Sequence, residues 1–114
     1  MTHIDLISTI TRLVRGAGAA GAIDHLRVTQ PSIDGNGYHD TLAVFYVWAV
    51  DRLVVAGLSD SAILWHPLTD DRSPLAWWDA DTLAGDAAAA RFVPSTLAMP
   101  GEATPVEPRQ LLAA

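Results

Sequence analysis

The stretch TLAVFYVWAVDRLVVAGL, Thr41–Leu58, decides the fold. Its β-branched and aromatic side chains favour strands by propensity. Its length favours a helix, because no glycine or proline interrupts it before Gly57 and strands seldom run so far. Asp40 reads as the N-cap and Gly57 as the stop. A helix over 41–56 would be apolar nearly all round and therefore central. The competing reading makes Asp51 and Arg52 a hairpin turn, although the favoured two-residue turns use Asn-Gly or a glycine.

Upstream, Ile4, Leu6, Ile7, Ile10, Leu13 and Val14 recur at helical spacing, which predicts a helix over 3–15. Thr2 is placed to cap it, with Asp5 completing a capping-box pattern. Gly16 and Gly18 interrupt, and residues 19–29 resume as a second helix, although LRVT also suits a strand. Pro31, Gly35 and Gly37 end that segment. Downstream, Ser59 or Asp60 opens a short helical piece, SAILWH, that stops at Pro67. After the polar loop LTDDRS, the Ser73-Pro74 pair predicts a helix from Pro74 to Ala84 closed by Gly85. Asp86 caps a last one, AAAARF. Pro94, Pro100, Pro105 and Pro108 keep the remainder extended. The expected fold is all-α, a small irregular helical bundle around one central apolar helix. It forms a single domain over 1–99 with an extended proline-rich C-terminal tail over 100–114.

A chain of 114 residues supports one core. Half of its residues are apolar, so it is not a disordered chain. Its net charge is −6, and the absence of lysine with seven arginines and abundant alanine looks like a GC-rich bacterial genome. An acidic surface without a basic stripe argues against nucleic-acid binding. The absence of cysteine removes disulfides, thiolate chemistry and zinc fingers. The first sixteen residues lack the pattern of a secretory signal. The apolar run Leu42–Leu58 carries Asp51 and Arg52 near its middle, too costly for a membrane span. The expectation is a soluble cytoplasmic protein.

Several chemistries fail on spacing. SIDGNG begins like a calcium loop, but its twelfth position is Ala43 where a bidentate glutamate is needed. The GNG segment lacks the lysine of a phosphate loop, and no GxSxG elbow occurs. His3, His25, His39 and His66 include no pair at helical spacing, so neither a metal nor another cofactor is expected. What remains is Tyr38-His39-Asp40. A histidine at a helix start suits acid–base work, and on a helix His39 shares a face with Ala43, Tyr46 and Val50. In the plainer reading, Tyr38 and His39 form a structural corner whose polar ends satisfy loop backbone. Trp48, Trp65, Trp77 and Trp78 are expected mostly to fill the core, with an aromatic ligand cage as the alternative.

GYHDTLAVF, with Trp77, Trp78 and Leu83 and then AARFVPSTLAMP, resembles a family of small, largely uncharacterised all-helical bacterial proteins. In that family a Tyr-His-acid-Thr corner opens a long apolar helix, usually with Glu at the place of Asp40. An aromatic pair and an Ala-Arg-aromatic-Val-Pro segment follow. The resemblance covers about residues 18 to 100. It implies a helical fold and places Tyr38, His39, Thr41 and Arg91 in one site or one structural corner. It carries no activity. The family's upstream helix with additional histidines has no counterpart in this sequence, so the fold is expected with the chemistry in doubt.

Two functions from different classes follow. The first is a small-molecule pocket around His39, catalytic or binding only, with Tyr38, Thr41, Tyr46, Arg91 and Trp77 as ligand-binding residues. His39 would do the acid–base work and Arg91 would hold an anion. The second is an interaction module, a homodimer or an accessory factor for a basic protein partner, suited to the acidic surface.

Overall fold

The computed structural model describes residues 2–34 and 39–93, with side chains for 2–28 and 39–93. Among these residues there are five α-helices and no strand: α1 (His3–Asp34), α2 (Asp40–Val55), α3 (Asp60–Leu64), α4 (Ala80–Ala84) and α5 (Asp86–Ala90). Two 3-10 turns, Pro67–Thr69 and Ser73–Ala76, lie between α3 and α4. The all-α reading holds, and the hairpin alternative does not: the helix runs through Asp51 and Arg52 without a break. The proposed tail over 100–114 lies outside the described residues.

α2 is the centre. Every residue from Ala43 to Val50 is buried, so all sides of the helix are covered. Of the side chains expected inside, Phe45, Val47, Trp48 and Leu53 are buried, while Leu42 and Val54 are half-buried. Strand propensity is overridden because burial on every face outweighs the small intrinsic helix penalty of valine and the aromatics. Its end follows the left-handed glycine stop. Gly57 has φ 89°, its N–H donates to the Val54 carbonyl, and the Leu58 N–H donates to the Leu53 carbonyl. The start differs from expectation. The cap is His39, whose Nδ1 accepts from the Leu42 N–H, and Asp40 is the first helical residue. Asp40 is nearly fully buried and takes a bidentate pair from Arg27, at 2.8 and 2.9 Å.

α1 supplies the largest face against α2, through Ile7, Ile10 and Val14 before its break and Ala22, Ile23 and Leu26 after it. The expected capping box forms: Asp5 N–H donates to Thr2 Oγ1, and Thr2 N–H donates to Asp5 Oδ2. Gly16 stays helical, and the whole interruption falls on Gly18, at φ 76° and ψ 174°. That backbone region is almost closed to residues with a Cβ. No atom lies within 4 Å of a Cβ built there, so Gly18→Ala should cost backbone strain only, about 1–2 kcal/mol. Urea unfolding of the variant measures it, and a neutral result would mean the two arms of α1 are not bent at this residue. Beyond the break the helix continues through Pro31 to Asp34, past the end expected from the sequence.

The segment after α3 also departs from expectation. Pro74–Ala84 is not one helix but a 3-10 turn, a bend carrying Trp77 and Trp78, and α4 capped by Asp79. The bend turns both indoles onto Phe45, at ring separations of 5.3 and 5.7 Å. A continuous helix would point adjacent residues about 100° apart, and they could not both reach one ring.

Candidate functional site

The corner at the start of α2 brings three of the expected residues together. His39 Nε2 lies 2.7 Å from the Leu83 carbonyl, so the ring donates there while Nδ1 accepts from Leu42. The two bonds specify a neutral ring protonated on Nε2. Thr41 is fully buried. Its hydroxyl donates to the Ala88 carbonyl at 2.8 Å, lies 3.1 Å from the Arg91 carbonyl and accepts from the Val93 N–H. Arg91 joins the corner through its backbone, while its side chain is exposed. His39 and Thr41 therefore tie α4, α5 and residues 91–93 to the head of α2. Tyr38 lies outside the described residues.

The other two expected residues sit elsewhere. Tyr46 is two turns along α2, about 10 Å from His39 by helical rise. Its hydroxyl donates to the Asp70 carbonyl at 2.9 Å, and its ring meets His3 edge to face at 5.1 Å. Burial, and then the charges of Asp71 and Asp70, raise its pKa far above the ordinary phenol value. The hydroxyl is thus held as a donor. Trp77 is buried between Phe45 and Trp48, and its Nε1 has no hydrogen-bond partner. It fills the core.

Two cavities line the seam between α1 and α3. The first, about 250 Å³, is built by His3 and Ile4 of α1, Leu64 and Trp65 at the end of α3, and His66, Thr69, Asp70 and Asp71 of the following turn. The second, about 200 Å³, is lined by Ser8, Thr11, Arg12, Asp60, Ser61 and Leu64. His39 and Arg91 line neither. Trp65 decides the character of the first. Trp48, Trp77 and Trp78 are buried as expected, but Trp65 is 70 % exposed beside an Ile4 that is 44 % exposed. Two large apolar side chains exposed together at one cleft form a patch, which a singly exposed residue does not.

The polar groups of this cleft are anchored. His3 Nε2 donates to the Thr69 carbonyl at 2.6 Å, and His66 Nδ1 accepts from the Leu68 N–H. Asp70 Oδ1 accepts from the Arg72 N–H at 2.9 Å. That bond, with the neighbouring Asp71 and the charges of His3 and Arg72, holds the Asp70 carboxyl below the usual carboxylate range. Among the described residues no group of three or more His, Asp or Glu side chains is arranged to hold a metal ion. Nor is any helix among them long and apolar enough to cross a membrane.

Sequence reasoning missed this cleft because its halves are at least sixty residues apart. His3 and His66 share no helical spacing and meet only through the fold. The local signal was Trp65-His66, an aromatic left at the end of a one-turn helix and followed by the acidic pair Asp70-Asp71. No family model matches the chain, and comparison with curated proteins and with solved structures gives no significant match.

Proposed function

We propose that this chain is a small-molecule-binding domain whose ligand sits on the α1–α3 seam, against Trp65, and not against His39. The exposed Trp65 over a cleft with apolar walls and convergent polar groups carries the reading. The His39 corner supports it from the other side. Both ring nitrogens there are spent on the protein's own backbone, as a corner that joins helices requires. The family resemblance of the Tyr-His-acid-Thr group fits the same structural role.

Mapping by nuclear magnetic resonance with a panel of small organic fragments tests the reading. Shifts are expected at the Trp65 indole, Leu64 and Ile4, and Trp65→Ala should abolish them while the protein stays folded. Shifts clustered instead around His39 and Thr41, or no shift at the seam, would overturn it. In a second reading, favoured by the joint exposure of Ile4 and Trp65, the same patch seats a protein partner. Fragments would then leave the seam unperturbed, and only a macromolecule would protect Trp65.

A further inference from the structure

The two cavities share Leu64 in their walls, and this bears on what the seam holds. Each one is smaller than the roughly 300–1,000 Å³ of a typical ligand site, whereas a ligand lying along both falls within that range. The ends differ in charge. In the second cavity Asp60 is bound by Arg15 Nε at 2.6 Å, which leaves Arg12, with no ion pair among the described residues, as the uncompensated charge. At the other end stand two adjacent carboxylates, Asp70 and Asp71, both exposed and both lining the first cavity. Between the ends the walls are apolar, with Ile4, Leu64 and Trp65.

The length is set by α1. Ile4 of the first cavity and Arg12 of the second lie eight positions apart on one side of α1, about 12 Å by helical rise. An extended chain of four residues spans about the same distance. We infer that the seam takes a short zwitterionic chain of tetrapeptide length, with its ammonium at Asp70 and Asp71, its carboxylate on Arg12 and an apolar side chain against Trp65. This rests on the seam being the ligand site.

The test reads Trp65 through acrylamide quenching of tryptophan fluorescence. It is selective, because the other three indoles are 6 % exposed or less. The unblocked tetrapeptide Ala-Leu-Leu-Ala should protect Trp65 in a saturable manner. Acetylating its amino end, or amidating its carboxyl end, should each weaken binding about fivefold, the scale of one exposed ion pair. Arg12→Gln should weaken the free-acid peptide to the same degree and leave the amidated one unchanged. Asp71→Asn should do likewise for the amino end. Both substitutions are at exposed positions, where a change away from core and caps is expected to leave the fold intact. Equal protection by blocked and unblocked peptides would overturn the zwitterion while leaving the seam as the site. No protection by the unblocked peptide would overturn the inference altogether, and the fragment map then decides independently whether the seam binds anything.

Discussion

Trp78→Ala is expected to lose about 3–5 kcal/mol of stability. Trp78 is fully buried and meets Phe45 edge to face at 5.7 Å and Phe92 at 6.0 Å. Its Nε1 donates to the Val93 carbonyl at 3.0 Å, so alanine opens a cavity and also strips that carbonyl of its partner. Against the roughly 5–15 kcal/mol that holds a domain of this size, that leaves a marginal fold. Urea unfolding followed by circular dichroism should show a sharply lower midpoint with an unchanged slope. A loss under about 1 kcal/mol would mean that the segment after α3 is not docked on α2 as described.

His39→Ala should cost about 2–3 kcal/mol, about one from the lost cap and the rest from the Leu83 carbonyl left without its donor. The melting temperature should fall on the order of 10 °C. His39→Asn restores an acceptor for the Leu42 N–H but is too short to reach Leu83, so it should recover only the capping part. Fragment binding at Trp65 should be unchanged in both variants. An unchanged melting temperature together with lost binding would reverse the assignment and return the site to the Tyr38-His39 corner. The design separates the two roles because a strut loses stability when removed, whereas a ligand contact loses affinity.

Much of the fold was legible from local pattern. The capping box of Thr2 and Asp5, the Gly57 stop and the Ser59 start each depend on residues within one helical turn of one another. Helix ends are satisfied locally, so their signals are local. The central place of α2 was legible for a related reason. A helix apolar on every face has only one stable location, and its composition names it. The choice of cap was less legible. Asp40 is the commoner capping residue, but its carboxylate was drawn inward by Arg27, thirteen positions upstream, and His39 took the cap instead.

The candidate site belongs to the other category. Tyr46 was placed with His39 because they share a helix face, yet each is bonded to a different neighbour, Asp70 in one case and Leu83 in the other. Periodicity states which residues share a face, not what lies opposite each turn of it. Trp65 reads in sequence like the three buried tryptophans, and only the packing leaves it outside. The seam between α1 and α3 exists because the break at Gly18 and the loop after Gly57 bring His3 and His66 to one cleft. Local spacing decides helices, since their bonds close within four residues. A cleft is decided by how helices distant in sequence come to rest against a common core, which no short stretch of residues encodes.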